Sequence, residues 1–363
     1  MFTFWEVLMR TQSHKEIVEE YSDSRGNYED CLNYVENTVK NIIKSQSINV
    51  HEIIGRVKTV ESLEGKVKRK NYSNLAEITD LCGIRIITYF SDDVDKIAEL
   101  ISQEFEVDVE NTIDKRKSED PTKFGYVSLH YVVGLKEENT SPTLYGRFKN
   151  IKLEIQIRTV MQHAWAEIEH DLGYKSKEDI PNQYRRQFSR LAGLIELADD
   201  NFLQLKNNIN NYEQEIREKL PTSKKELPID SSTLMTYVKE DQNYIELLNT
   251  IKSLYMDIDI NIDIDSSSLS TVVQRVKKLG LKTIGEIDEL LERYKDIFLR
   301  IWAIEMNIMH YTGISSLTPL LYITNVLESV NRIDISDEEF MKVSDDEFSD
   351  VFSISYPIDV YEG

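Results

Sequence analysis

Hydrophobic residues recur at steps of three and four along the first part of the chain, as Val18, Tyr21, Val35 and Val39 show. This period is that of one helix face and predicts an N-terminal helical segment over residues 1–47. Further along, hydrophobic and polar residues alternate in short stretches rich in β-branched and aromatic residues, which is typical of strands. The strands predicted in this way are 83–90, 127–133, 151–157 and, as a candidate fourth, 106–113. The helices predicted between and after them are 94–105, 159–172 and 181–220.

These elements predict an α+β fold, in which a small mixed β-sheet is flanked by helices. The composition changes after Pro221, and helical patterns follow at 232–256 and 269–309, behind an expected linker at 224–228. Aspartate and isoleucine alternate over 257–265, which fits an edge strand and an acidic loop equally well. The predicted domains are an N-terminal helical segment (1–47), an α+β domain with following helices (48–220), a mainly helical C-terminal region (225–335) and an acidic tail (336–363).

Charge and cysteine content narrow the classes of function. The 363 residues include 43 basic and 64 acidic ones, a formal net charge of −21, whereas a protein that binds nucleic acid over its whole surface is expected to be basic. Any nucleotide site must therefore gather its cations locally. Two cysteines, Cys31 and Cys82, exclude a disulfide framework and a cysteine-based zinc site, so the cytoplasm is the expected location. Apolar runs fall short of the roughly 18–20 residues of a membrane span.

A cluster of basic residues opens the α+β domain. Arg56 and Lys58 alternate on an extended segment, and Ser62, Lys66 and Arg69 follow at four- and three-residue steps on a helix expected to begin near residue 61. Residues at these steps share one helix face. Arginine binds phosphate bidentately, lysine adds a point charge and serine a helix-start hydroxyl, so this cluster can hold a polyphosphate. A solvated basic face is the alternative.

Two further motifs place polar residues near strand ends. Asp80 is expected in the turn that enters the strand at 83–90, and Arg85 lies within that strand. A loop with proline and glycine leads to Tyr126, and Tyr126, Ser128 and His130 then point to one face at period two. An aromatic residue with hydrogen-bonding neighbours suits a stacked nucleotide base. A turn carboxylate and a half-buried strand are the alternatives for these two motifs.

The strand at 151–157 introduces three polar residues in line, Glu154, Gln156 and Arg158, with isoleucines on the other face. Burying such a row is costly unless something binds it, so the row favours a functional site. Three residues of the next helix share a face at i, i+4 and i+7 and could also ligate a transition metal: His163, Glu167 and His170.

Together, the four motifs resemble the synthetase domain of RelA/SpoT-type alarmone synthetases over residues 51–175, about a third of the chain. The matching pieces are the Arg56/Lys58/Ser62/Lys66/Arg69 spacing, Asp80-x-x-Gly-Ile-Arg85, Gly125-Tyr126-x-Ser-x-His130 and Glu154-Ile-Gln-Ile-Arg-Thr159. The resemblance implies a nucleotidyltransferase-like fold and a monofunctional pyrophosphokinase of the stringent response. Such enzymes transfer the β,γ-pyrophosphate of ATP to the 3′-hydroxyl of GDP or GTP and so make (p)ppGpp.

The resemblance also implies a role for each motif. Asp80 and Glu154 would be the catalytic residues and would carry Mg²⁺, and Glu154 would also take the proton of the attacking hydroxyl. The residues implied in ATP binding are Arg56, Lys58, Ser62, Lys66, Arg69 and Arg85. The residues implied in acceptor binding are Tyr126, which would stack on the base, His130, Gln156, Lys123, Arg158 and His163. This chemistry requires an oriented hydroxyl, a metal ion and cations for the phosphate charge.

Two positions depart from the family pattern and leave the acceptor open. Many members carry a lysine where Thr122 stands, and here Lys123 follows it instead. Many small members carry an asparagine near the guanine edge where His163 stands, so guanine selectivity is not implied by the resemblance. The hydrolase half of bifunctional members has no counterpart in the sequence, so synthesis alone is expected.

Two other functions fit parts of the pattern. Some small toxic relatives pyrophosphorylate the 3′ end of tRNA, and the C-terminal region could then act as a regulator or built-in antitoxin, although the net charge of −21 is unfavourable for tRNA. A non-catalytic nucleotide sensor is the third reading, but a sensor would not need both Asp80 and Glu154. The expected partners are ATP with GDP or GTP and, as an open expectation, a second copy of the chain; no membrane partner is expected.

The acidic tail is a candidate inhibitor. Residues 337–363 contain nine acids and one base, Lys342. A tail of this charge on the same molecule has a high effective concentration and could compete with substrates at a positive entrance. Support of folding or oligomerisation is the other role considered for residues 225–363.

Overall fold

The computed structural model describes residues 12–70, 72–114, 128–136, 146–173, 182–254, 259–309 and 313–333. The chain forms two compact units, residues 1–206 and 207–363. The first unit is built on a mixed sheet flanked by helices and the second is mainly helical, which confirms the α+β class expected from the sequence. Among the described residues, no helix has both the length and the apolar character to cross a membrane.

A mixed sheet organises the first unit. Its strands are β1 (Val50–Val57), β2 (Cys82–Thr88), β3 (Glu106–Val107), β4 (Ile113–Asp114), β5 (Leu129–Gly134) and β6 (Leu153–Thr159). The strand order is β1-β2-β6-β5-β3, with β4 also paired to β5. Strand β2 runs parallel to β6 and antiparallel to β1, whereas β5 is antiparallel to its partners. The parallel pair β2 and β6 therefore forms the centre of the sheet.

The register of the sheet aligns the polar residues of the motifs into rows. One row reads Arg56, Gly83 and Glu154, and the next reads Ile54, Arg85, Gln156 and His130. Because side chains alternate between the two faces of a strand, both rows lie on one face. The isoleucines between them lie on the other face and are buried.

In the described parts of residues 1–206, five helices are present, the last of which continues into the second unit. They are α1 (His14–Ser45), α2 (Val60–Arg69), α3 (Ser91–Glu104), α4 (Val160–Gly173) and α5 (Asn182–Lys219). Helix α1 begins with a capping box, in which the Ser13 hydroxyl accepts from the Glu16 amide and the Glu16 carboxylate accepts from the Ser13 amide. Apolar residues of α1 and α3 pack on the isoleucine face of the sheet and form one buried core. This packing leaves the polar face to the functional site.

The second unit has its own core. Its helices are α6 (Ser231–Glu240), α7 (Gln242–Leu254), α8 (Ser266–Lys278), α9 (Ile284–Met309) and α10 (Thr318–Ile333), and a two-stranded parallel sheet joins β7 (Asp259–Asn261) to β8 (Gly313–Ser315). The aromatic residues Phe298, Trp302 and Tyr322 contact one another in this core. The acidic segment 257–265 was expected to be an edge strand or a loop. Three of its residues, Asp259–Asn261, form the strand β7.

One prediction for this region was wrong, and another is refined. The helical stretches expected at 232–256 and 269–309 are helical, but each is divided into two helices, at Asp241 and around Gly280. Asp241 ends α6, and its carboxylate accepts from the Tyr244 amide in the next helix. Gly280 adopts a positive φ of 87°, a conformation that terminates helices and favours glycine. The expected linker at 224–228 is a packed part of the second unit, since Leu227 is only 3% exposed.

Asp199 of α5 has a buried carboxyl group that contacts the last residue of β6, Thr159. It is only 4% exposed, and the Thr159 hydroxyl donates to its Oδ2 at 2.8 Å. Burial raises the pKa of Asp199 to about 6, although hydrogen bonds from Thr159 and Gln162 act in the other direction. The folded protein therefore retains the Asp199 proton to a higher pH than the unfolded chain does.

Replacing Asp199 by asparagine is expected to stabilise the protein above pH 7. The native carboxyl loses stability as the pH rises from the unfolded pKa near 3.8 through the folded pKa of about 6. The difference corresponds to at most ~3 kcal/mol. Urea unfolding measures the free energy of unfolding from pH 4 to pH 8, and this free energy should decline less with rising pH for D199N than for the wild type. The exposed Glu196→Gln on the same helix serves as control, and a D199N profile parallel to that of the wild type would contradict the assignment.

Candidate active site

A pocket opens on the polar face of the sheet, beside the first turn of α2. Its polar lining residues are Arg56, Lys58, Thr59, Ser62, Asp80, Arg85, Glu154 and Gln156. These residues come from β1, β2, β6, α2 and the turn before β2. Three of the four sequence motifs thus meet in one pocket, and the fourth reaches it through His130, which binds Glu154.

Asp80 lies in the turn that precedes β2, as the sequence predicted. Its two oxygens contact two ammonium groups, with Lys58 Nζ at 3.0 Å from Oδ2 and Lys66 Nζ at 2.6 Å from Oδ1. Burial acts to raise the pKa of Asp80, but the hydrogen bonds and charges of Lys66 and Lys58 outweigh it and lower the pKa. Asp80 is therefore a carboxylate at neutral pH, held between two cations.

The backbone around Lys58 is fixed from two sides. The Tyr21 hydroxyl of α1 donates to the Lys58 carbonyl at 2.6 Å, and the Lys58 amide donates to the Leu81 carbonyl at 2.8 Å. The next residue, Thr59, caps α2, because its hydroxyl accepts from the Ser62 amide at 3.2 Å. Sequence reasoning overlooked Thr59, although a threonine directly before a helical pattern is a cap signal.

The remaining cations of the first motif lie on or near α2. Lys66 also lies 5.7 Å from the centre of the Tyr72 ring, a cation–π contact. The Arg69 Nε donates to the Gly65 carbonyl, and both Arg69 and Arg56 are exposed. Lys58 and Lys66 thus both form ion pairs with Asp80, whereas the exposed Arg56 lines the pocket.

Glu154 forms the centre of a hydrogen-bonded row on the sheet. Its Oε1 lies 2.7 Å from His130 Nδ1, and Gln156 Nε2 donates to its Oε2 at 3.0 Å. His130 Nε2 in turn lies 2.6 Å from the buried hydroxyl of Ser128. Burial acts to raise the pKa of Glu154, but the hydrogen bond and charge of His130 outweigh it and lower the pKa. Glu154 is therefore also ionised at neutral pH.

Gly83 lines the pocket and lies close to the backbone of Glu154. It lies opposite Glu154 in the parallel register, and a Cβ atom at this position would lie 2.7 Å from the Glu154 carbonyl oxygen. Such a distance is shorter than real Cβ contacts allow, so any side chain here would displace the backbone that carries Glu154. The glycine of the second motif thus keeps the floor of the pocket open.

A second cluster joins the end of β6 to α4. Arg158 is 2% exposed, and its Nη2 lies 2.6 Å from His163 Nδ1 and 3.2 Å from Glu167 Oε1. Glu167 Oε1 also accepts from Arg85 Nη1 at 3.0 Å. Burial acts to raise the pKa of Glu167, but the charges of Arg85 and Arg158 outweigh it and lower the pKa. Sequence reasoning considered Glu167 only as a metal ligand.

Some expectations are not met or lie outside the described residues. In the described part of the chain, no group of three or more His, Cys, Asp or Glu residues is arranged to hold a metal ion, and Glu167 binds arginines instead. Tyr126 and Lys123 lie in 115–127, outside the described residues, and the acidic tail (336–363) also lies outside them. Their roles stay predictions.

The pocket combines two ionised carboxylates with an excess of cations. Asp80 acts to raise the pKa of Glu154, which places the two charges within electrostatic reach of each other. The lysines and arginines can stabilise the negative charge of phosphate groups, and two nearby carboxylates can share a divalent cation that phosphates also bind. The arrangement therefore suits chemistry on a polyphosphate.

Comparisons with known proteins identify similar sequences and structures. Residues 55–179 match the family described as "Region found in RelA / SpoT proteins". GTP pyrophosphokinase YwaC and GTP pyrophosphokinase YjbM, both from Bacillus subtilis, are each 29% identical over 160 residues, which are 43% of this chain and 73% and 72% of theirs. A crystal structure of the small alarmone synthetase 2 from Bacillus subtilis is similar over 52% of this chain and 99% of that chain, with 25% identity and a TM-score of 0.45.

Proposed function

We propose that the protein is a pyrophosphokinase that makes (p)ppGpp, because its residues 55–179 match the family described as "Region found in RelA / SpoT proteins". It transfers the β,γ-pyrophosphate of ATP to the 3′-hydroxyl of GDP or GTP and releases AMP. The observation that carries the proposal is the pocket itself, in which Asp80 and Glu154 lie with Lys58, Arg56 and Arg85. The relatives named GTP pyrophosphokinase support it.

Mg²⁺ fits the residues of the pocket. Mg²⁺ is commonly held by one or two carboxylates together with substrate phosphates, so a cage of many protein ligands is not required. Asp80 and Glu154 are both ionised and within electrostatic reach of each other, and they would be its protein ligands. When bound, the metal supplies positive charge that stabilises the transferred phosphates.

The residues of the chain supply positioning and charge. Lys58, Lys66 and the first turn of α2 hold the phosphates of ATP, with Arg56, Arg69 and Arg85 around them, and Ser62 contributes a hydroxyl. Glu154 accepts a hydrogen bond from the 3′-hydroxyl of the acceptor and takes its proton as the oxygen attacks the β-phosphorus. His130 and Gln156 hold the Glu154 carboxylate in place through hydrogen bonds. Transfer of this kind depends on orientation and electrostatic stabilisation.

The proposal has a direct test. The full chain is incubated with Mg²⁺ and ATP labelled on the γ-phosphate, in separate reactions with GDP, GTP, ADP, ATP or bulk tRNA. Label on guanosine tetraphosphate or pentaphosphate is the expected result. Label on tRNA alone would replace the proposal by tRNA modification, and binding of nucleotides without any transfer would replace it by a sensor.

We also propose the cytoplasm as the location, because the nucleotide substrates are there, and a homo-oligomer as the assembly. An apolar stripe along α5 supports the assembly, since large side chains recur at helical steps and are about half exposed: Leu191, Leu194, Phe202, Leu205 and Ile209. Exposed apolar patches of this kind are typical of protein interfaces.

Regulation by the acidic tail stays a prediction. Truncation after about Asp334 is expected to raise the activity, most clearly at low salt where charges are least screened. Initial rates of the truncated and full-length chains over a range of salt concentrations measure the effect. Equal rates at every salt concentration, with the truncated chain folded, would eliminate the tail as an inhibitor.

A further inference from the structure

Arg158 is the most buried cation of the site. Its side chain is 2% exposed, and a guanidinium group keeps its charge when buried. A buried charge is costly unless an opposite charge and hydrogen bonds compensate it. Glu167 provides a carboxylate to Arg158 at 3.2 Å, from a position nine residues further along the chain. This carboxylate needs an explanation, because the proposed mechanism does not use it.

The same carboxylate oxygen holds an arginine of the pocket. Arg85 Nη1 donates to Glu167 Oε1 at 3.0 Å, across 82 residues of sequence. Arg85 comes from β2, where it lies opposite Gln156, and Arg158 comes from β6, where it lies opposite Ile87. Glu167 of α4 thus joins two guanidinium groups from adjacent strands and adjacent rows. Because both arginines contact the same oxygen, a movement of one arginine that displaces Glu167 also changes the contact with the other.

His163 completes the cluster as a neutral ring. A guanidinium group has only donors, so the Arg158 contact at 2.6 Å requires His163 Nδ1 to be the acceptor. The proton of the neutral ring then lies on Nε2. Burial and the charges of Arg158 and Arg85 lower the pKa of His163, which agrees with this form. The ring is thus fixed by Arg158 and offers one N–H donor.

We propose that Glu167 is a positioning residue that couples the two nucleotide sites. It ties Arg85, which the proposed function places beside the ATP phosphates, to Arg158 and His163, which the family resemblance assigns to the acceptor. This inference rests on the proposed function. A nucleotide that restrains Arg85 also restrains Glu167, and through it Arg158 and His163. The second nucleotide then binds to groups that are already ordered, so its binding costs less conformational entropy. By linkage, each nucleotide tightens the other by the same factor.

Glu167→Ala and Glu167→Gln in the full chain test this coupling. Calorimetry measures the affinity for a non-hydrolysable ATP analogue with and without saturating GDP, and for GDP with and without the analogue. We expect each nucleotide to tighten the other by about 5- to 150-fold in the wild type, the usual range for coupled sites. The factor should approach one in E167A, with E167Q between the two, because glutamine keeps an acceptor oxygen but loses the charge.

Steady-state kinetics provide the second readout. Both KM values should rise in E167A, while kcat at saturation stays within roughly threefold, as expected for a residue that orders the binding groups but touches neither substrate. The control is Glu29→Gln, which breaks an Arg25–Glu29 pair on α1, outside the pocket. It should keep the coupling factor and both KM values.

Three results would overturn the proposal. In the first, the two nucleotides bind to the wild type independently. In the second, E167A keeps the full coupling factor. In the third, E167A loses thermal stability but its KM values do not change. Because Glu167 is half exposed and glutamine keeps an acceptor oxygen for Arg158, E167Q is expected to fold and to test the proposal even where E167A is less stable. The proposed function fails by a different result, the absence of label transfer to any guanine nucleotide in the wild type.

Discussion

Glu154→Gln is expected to lower the rate of pyrophosphate transfer by about 10²–10⁴, the size of effect typical of a single catalytic group. The amide keeps the shape of the side chain but loses the negative charge that would bind Mg²⁺ and accept the proton of the 3′-hydroxyl. The neighbours of Glu154 are polar groups that an amide can also hydrogen-bond, namely His130 and Gln156. The loss should therefore appear in activity and much less in stability.

Initial rates with labelled ATP and thermal unfolding measure the two effects separately. Glu99→Gln on α3 is the matched control and should keep full activity, because Glu99 is exposed and its carboxylate accepts a hydrogen bond from Gln103 of the same helix. A folded E154Q variant with near wild-type turnover would remove Glu154 from the mechanism.

Periodicity predicted most of the sheet because its central strands have a simple pattern. The strands expected at 83–90, 127–133 and 151–157 are confirmed as β2, β5 and β6, with ends shifted by a few residues. The candidate strand at 106–113 consists of two short strands of two residues each. Strand β1 was recognised only as an extended segment, because none of its residues is fully buried at the sheet edge and its apolar residues do not alternate regularly with its polar ones.

The site was predicted where it depends on residues close in sequence. Alternation alone placed Glu154, Gln156 and Arg158 on one strand face, and the structure has them there, although Arg158 is covered and the other two are partly exposed. Which cations meet Asp80 could not be read from the sequence, because Lys58 reaches it across 22 residues through the pairing of β1 with β2.

The role of Glu167 shows the same limit more clearly. Its helical spacing from His163 suggested a shared metal, whereas its actual partners, Arg85 and Arg158, come from two adjacent strands. Only the parallel register of β2 and β6 brings these arginines together. A sequence pattern records neighbours along one element, and contacts between elements require the fold.

Asp80→Asn should also lower the transfer rate by about 10²–10⁴, since it removes the other carboxylate that would hold Mg²⁺. Unlike Glu154, Asp80 is bound by two ammonium groups, Lys58 and Lys66, each mostly buried. The variant leaves both cations without their counter-charge, so a loss of stability at neutral pH is expected as well.

The pH dependence separates this electrostatic cost from a packing defect. The pKa of Asp80 is lowered in the folded protein, so its contribution to stability is present above the unfolded pKa near 3.8 and is lost as the pH falls through the folded pKa. Urea unfolding of D80N should therefore differ from the wild type at pH 7 and converge with it in acid. A difference that persists in acid would indicate a packing defect, and full turnover at pH 7 would exclude Asp80 from catalysis. Convergence together with lost turnover would establish that one carboxylate both balances the lysines and serves the reaction.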